Sequence, residues 1–180
     1  MSDKERLVEE APGEVDANSI DSPNVAATDG LFDEEHYLDG NFVKKIDGQG
    51  RVLMPPEFRK FFEGKPLEMV RCSYDNCRFL KLMTKQSYLA WEESFFQEVG
   101  GFKQSDPAMF AKKAQLRLMK EPVAVDGFNR LRIPTALRDY LALKDDVTFI
   151  GLGDCVMVMT PNSADALLNG PEIRIEASAA

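Results

Sequence analysis

Two arginines in this chain, Arg51 and Arg130, sit in the same setting of residue types. Each follows an aspartate by four positions and precedes a proline by four, and a second arginine stands four beyond the proline: Asp47, Arg51, Pro55, Arg59, then Asp126, Arg130, Pro134, Arg138. The full segments are Asp47-Gly-Gln-Gly-Arg-Val-Leu-Met-Pro-Pro-Glu-Phe-Arg59 and Asp126-Gly-Phe-Asn-Arg-Leu-Arg-Ile-Pro-Thr-Ala-Leu-Arg138, related by a shift of 79 positions. A pattern of this length recurring at one shift marks two copies of one unit. An arginine held on a rigid turn can make bidentate contacts to a phosphate or to a guanine edge.

The other motif residues shape the loop. Asp47 and Asp126 can accept hydrogen bonds from backbone N–H groups two or three positions on. Gly50 allows positive φ, and Asn129, which replaces it in the second copy, is the residue after glycine that best tolerates that region. Pro55 and Pro134 suit the start of a helix. Each arginine also has a purely structural reading, in which it pairs with its own Asp47 or Asp126, or with Asp139 or Glu57, and staples the loop. Lys44 and Lys45 before the first loop and Arg132 after the second favour a shared cationic surface, with the lysines supplying sequence-independent attraction to a polyanion. Arg59 and Arg138, beside the apolar Phe58 and Leu137, are read as braces that pack their stems and bridge to a turn carboxylate or a neighbouring subunit.

Catalytic chemistry has little to work with. The single histidine is His36, and there is no Gly-rich phosphate loop and no nucleophile constellation, so no catalytic residue or cofactor is expected. Cys72, Cys77 and Cys155 are odd in number and lie among apolar residues, which suits a reducing compartment better than a disulfide framework. Cys72 and Cys77 lack a second ligand pair, so no metal site is expected.

The elements that must position the loops follow from pattern. Asn41–Ile46 reads as a strand entering a tight turn, with Arg51–Met54 as the return strand of a hairpin. Pro55 and Pro56 open a short helix through Phe62, stopped by Gly64. Leu67–Cys72 and Phe79–Met83 read as a second hairpin around Asp75-Asn76, followed by a helix from Ser87, as cap, to Phe96. The later segment repeats this order: Val123–Val125, turn, Leu131–Ile133, the Pro134 helix, Val147–Ile150, a Gly151/Gly153 turn and Val156–Met159. Met83-Thr84-x-x-Ser87 returns as Met159-Thr160-x-x-Ser163 at a shift of 76. Between the copies, Pro107 to Lys120 has apolar residues at Phe110, Ala114 and Leu118, spaced for a linking helix. Phe95, Phe96 and Phe102 fit either core or interface.

Length and charge set further bounds. The 180 residues, 44% hydrophobic, are enough for one compact domain or two small ones. The net charge of −8 would discourage a polyanion partner, but residues 1–35 hold eleven acids against Lys4 and Arg6, leaving nineteen acids and twenty bases beyond. The folded part is thus nearly neutral. The expected organisation is a disordered acidic tail over 1–36, repeats over 37–100 and 121–170 joined by a helical segment at 101–120, and a flexible end over 171–180. The tail reads as a solubility device or as a competitor for the basic loops. Short apolar runs and a charged first segment suggest a soluble, cytoplasmic chain with no membrane partner.

The doubled D-x-x-G-R-x-x-x-P-x-x-x-R pattern, with Gly40-x-Phe42 before it and Met-Thr-Pro161 after, resembles the MraZ family within the wider AbrB/MazE/MraZ group, over roughly residues 37 to 165. The resemblance implies an α+β fold, a double-split β-barrel of two tandem repeats with short helices, in which the copies act as the two subunits of an AbrB-like dimer. It further implies a nucleoid-associated bacterial transcriptional regulator, generally a repressor of the division and cell-wall gene cluster, that forms a ring-like homo-oligomer and binds repeated double-stranded operator sites. The family's DNA-contacting arginine falls on Arg51 and Arg130, with Asp47 and Asp126 as turn organisers. Asn129 and the acidic extension depart from the family pattern. The competing expectation is an antitoxin-like DNA-binding protein that sequesters a partner.

Overall fold

A computed structural model describes residues 37–74 and 77–170. The acidic segment, the Asp75-Asn76 turn and the last ten residues lie outside the described residues. The described part is α+β, with eight strands and five helices. In chain order these are β1 (Asn41–Lys45), β2 (Arg51–Leu53), α1 (Pro56–Phe62), β3 (Leu67–Tyr74), β4 (Cys77–Thr84), α2 (Lys85–Glu98), α3 (Pro107–Leu118), β5 (Lys120–Val123), β6 (Arg130–Arg132), α4 (Thr135–Leu141), β7 (Asp146–Gly151), β8 (Cys155–Met159) and α5 (Pro161–Leu168).

Six strands form one antiparallel sheet in the order β1-β7-β8-β4-β3-β5, and β2 and β6 form a separate two-stranded ribbon. The motif turns are closed as the sequence suggests, but the flanking strands do not continue as hairpins. Ile46 bridges Val52 and Val125 bridges Leu131, and the strands then part. β1 pairs with β7, with Lys45 opposite Asp146, while β5 pairs with β3. β2 and β6 pair with each other. β2 and β6 are only three residues long, since Pro55 and Pro134 just beyond them have no N–H to extend a ladder. Pro122 lies on β5, the sheet edge, where a missing donor costs least.

Alternation along the central strands sorts the two faces. Leu80 and Leu82 of β4 and Val156 and Val158 of β8 join Val52, Met54, Phe58, Leu131, Ile133 and Leu137 in the main core. Val52 and Leu131 are at most 1% exposed, so burial contributes roughly 1.5–3 kcal/mol for each and fixes the ribbon's inner face. The other face of the sheet presents Val70, Met83 and Cys155, which pack with Tyr88 of α2.

Helix ends follow their capping chemistry. Pro55 and Pro134 occupy the N-cap positions of α1 and α4, and Gly64, at φ +67°, follows α1 as a left-handed stop. α4 stops instead on Ala142 at φ 52°. The cap of α2 is Thr84, whose side-chain oxygen accepts from Ser87 N–H at 3.0 Å; Ser87 itself lies inside the helix. Thr160 and Ser163 repeat the arrangement at α5.

The linking helix faces the other way from its apolar spacing. Phe110 and Leu118 are 59% and 81% exposed, and Leu116 is the buried residue of α3. Polar contacts orient it: Arg117 donates to both carboxylate oxygens of the buried Glu92 at 2.7 and 2.6 Å, and the Lys113 ammonium lies 4.2 Å from the centre of the Phe102 ring. Lys120 and the buried Glu68 add a 2.6 Å pair beside it. Phe96 is buried, edge-on to both Phe95 and Phe102, which places this aromatic group within the α2–α3 junction.

Candidate nucleic-acid interface

Each motif loop is held by one carboxylate using both oxygens. Asp47 Oδ1 accepts from the N–H groups of Gln49 and Arg51, both at 2.9 Å, and Oδ2 accepts from Arg51 Nε at 2.7 Å. Asp126 repeats this with Phe128 N–H at 2.9 Å, Arg130 N–H at 3.0 Å and Arg130 Nε at 2.8 Å. The backbone closes both turns, with Gly50 donating to Asp47 O and Asn129 to Asp126 O at 2.9 Å. Gly50 lies at φ 76° and Asn129 at φ 60°, so asparagine holds the left-handed backbone that glycine holds in the first loop.

These contacts shift the carboxyls. The N–H and guanidinium of Arg51 hold Asp47 below its ordinary carboxylate pKa, and the Arg130 guanidinium, with the loop N–H groups, does the same for Asp126. Both aspartates are therefore charged at neutral pH. The stapling seen as one reading of the sequence is realised for both arginines. It also serves presentation: the Nε side of each guanidinium is fixed by its aspartate, and the guanidinium plane is set by the loop rather than by solvent.

The two loops are tied to each other's strands. Ile133 N–H donates to Gly50 O at 2.8 Å, and Met54 N–H to Asn129 O at 2.9 Å. Between them the ribbon pairs Arg51 with Arg132 and Leu53 with Arg130, and alternation turns these four side chains outward while Val52 and Leu131 point in. Arg51, Arg130, Arg132 and Arg138 line one cleft of about 540 Å³ with Gly48, Gln49 and Ala124, and Asp126 is the acid among its lining residues.

The remaining sequence expectations are placed as follows. Arg59 donates from Nε to Met54 O at 3.0 Å, so its contact is a backbone carbonyl and not a turn carboxylate. Arg138 donates to Thr135 Oγ1 at 3.0 Å, and its Nε is buried against Gly50, where a Cβ would fall 2.7 Å away. Lys44 and Lys45 are successive residues of β1 and point to opposite faces; Lys44 lies over the Phe42 ring at 6.0 Å. They cannot both share a face with Arg51. Phe128 had no assignment from sequence: it is 75% exposed at the tip of the second loop, and the Arg130 guanidinium lies 4.9 Å from its ring centre. The signal was its position, since an aromatic between a turn glycine and a left-handed residue has no route to the core.

Cys72 and Cys155 lie on the helix-covered face, where burial raises both thiols, Cys155 to about 12. Among the described residues no group of three or more His, Cys, Asp or Glu side chains could hold a metal ion. No helix among them is long and apolar enough to cross a membrane.

Comparison with known proteins points to one family. The family model described as "MraZ protein, putative antitoxin-like" matches residues 120–163, which span the second loop. A protein of Natranaerobius thermophilus named transcriptional regulator MraZ is 31% identical over 126 residues, covering 70% of this chain and 82% of the relative. Proteins of the same name from Ruegeria pomeroyi and Thermomicrobium roseum are each 27% identical, covering 70% and 69% of this chain and 78% and 82% of their own lengths. With its stapled arginine loops and this breadth of similarity, the chain belongs to the MraZ family.

Proposed function

We propose that this chain is a DNA-binding transcriptional regulator that presents Arg51 and Arg130, on Asp-x-x-Gly-Arg loops, to double-stranded DNA. The observation that carries the reading is the shared cleft in which Arg51, Arg130 and Arg132 of the two-stranded ribbon are joined by Arg138 of α4. A two-stranded ribbon fits the major groove, where arginine reads guanine O6 and N7. Arg132 extends the same surface, and Lys44 or Lys45 adds phosphate attraction at its margin. The names of its relatives support regulation as the purpose of binding.

The finer reading is a repressor of the division and cell-wall gene cluster that binds repeated operator sites. Its two tandem AbrB-like repeats form a double-split barrel, and the reciprocal pairing of β1 with β7 and β5 with β3 supports this. The chain assembles as a ring-like homo-oligomer, which multiplies weak loop contacts through effective concentration. Exposed Phe110 and Leu118 on α3 offer apolar surface for that assembly. The test is titration of duplex DNA from the protein's own upstream region at controlled salt, with the mass of the free protein measured in parallel. Saturable, competitor-resistant binding by an oligomer supports the proposal; no binding above that to unrelated DNA, or a monomer throughout, contradicts its respective part.

A further inference from the structure

The two loops differ at the one tip position that the staple leaves free. At the shift of 79, Gln49 of the first loop is matched by Phe128 of the second. Both side chains are exposed, and both loop backbones are fixed in the same way, through the N–H of that residue donating to its aspartate at 2.9 Å. The fold therefore accepts either residue there, and leaving a phenylalanine ring in water forfeits the stabilisation that burial would give it. The ring is not loose: it stacks beside Arg130, whose guanidinium is set by Asp126.

We propose that Phe128 is a specificity-determining residue that covers the C5-methyl group of a thymine next to the guanine read by Arg130. This rests on the DNA-binding reading above. An arginine engaged with guanine O6 and N7 lies in the major groove, and the thymine methyl is the apolar group displayed there. A ring stacked beside that arginine enters the same groove. Insertion as a wedge in the minor groove would require the ring to leave Arg130. Gln49 in the first loop carries an amide, which suits adenine N6 and N7 instead. Leu53 and Arg132, matched at the same shift, also differ, so the ribbon's outer face is chemically unequal in its two halves. The bound site should then be unequal as well, with methyl dependence confined to the half under Phe128.

The test uses the full chain and the shortest upstream duplex that it binds, with each thymine replaced in turn by deoxyuridine, which removes only the methyl. Wild-type protein should lose about three- to five-fold in affinity at a thymine within one half of the site, the scale of one apolar carbon. Phe128→Ala should bind the thymine and uracil duplexes equally, at the wild-type affinity for uracil. Phe128→Leu should retain part of the discrimination. If Phe128→Ala weakens both duplexes alike and keeps the methyl preference, or if no thymine is methyl-sensitive, the inference is overturned while DNA binding stands. If the wild-type protein binds none of the duplexes, the DNA-binding reading falls, and this inference with it.

Discussion

Asp47 and Asp126 each hold a backbone turn with one oxygen and an arginine side chain with the other. Their lowered pKa values give a pH prediction with a definite sign. The contribution of each carboxylate is fully present above the ordinary value of 3.8 and is lost as pH falls through the lowered value in the folded protein. Carboxyl carbon shifts followed by NMR should therefore give midpoints below 3.8 for both aspartates, and a midpoint at or above it would contradict the staple. Gly50 gives a second prediction. A Cβ there would meet Arg138 Nε at 2.7 Å and Ile133 O at 3.0 Å, on a backbone at φ +76°. Gly50→Ala should cost about 2 kcal/mol or more in denaturant unfolding, from left-handed strain and overpacking together. A change within error would mean that the loop relaxes freely. The aspartate, the turn residue and the arginine were legible at fixed spacing because their contacts are local. Phe128 was legible as a loop-tip residue by position alone, but its place beside Arg130 was not, because that depends on where the staple sets the guanidinium.

At the scale of elements, α1 and α4 start alike on a proline but end differently, on Gly64 and on Ala142. Ala142 sits at φ 52° with its N–H already donating to Arg138 O and Asp139 O, so its left-handed backbone carries a Cβ penalty that glycine would remove. Ala142→Gly should raise unfolding stability by about 1 kcal/mol, and a loss of stability would contradict that account. Both helices were readable from their prolines, and α2 was readable apart from its cap. Thr84 and not Ser87 takes that role, since the residue that starts the helix is the one still in extended conformation, at ψ 155°. The helix α3 was legible from its spacing, but the face it buries was not. Spacing of Phe110, Ala114 and Leu118 reports an apolar stripe but not what covers it, and the bidentate Arg117–Glu92 pair turns the helix the other way.

Across the whole molecule, the strands of the two motif segments are exchanged. β1 reaches β7 across a register from Asn41 opposite Ile150 to Lys45 opposite Asp146, while β5 returns to β3 and β2 meets β6. Sequence pattern announced strands and turns but could not announce these partners, because pairing at long range is set by closure of the common core. It follows that a chain ending between α2 and α3 leaves β1, β2, the β5-facing edge of β3 and the β8-facing edge of β4 unpaired. Segments 37–104 and 105–170, expressed apart, should each lack a cooperative unfolding transition and should gain one on mixing; an independent transition in either alone would contradict the interlock. That interlock brings Arg51 and Arg130 onto one ribbon, and the central claim is that this ribbon binds DNA through them. The most direct measurement is a salt-controlled titration of upstream duplex DNA with wild-type protein, Arg51→Ala, Arg130→Ala and the double variant, with assembly checked by mass. Each single variant should weaken binding by about 1–3 kcal/mol and lower the salt slope by about 1, with the mass in solution unchanged. Wild-type affinity and slope in the double variant would contradict the account.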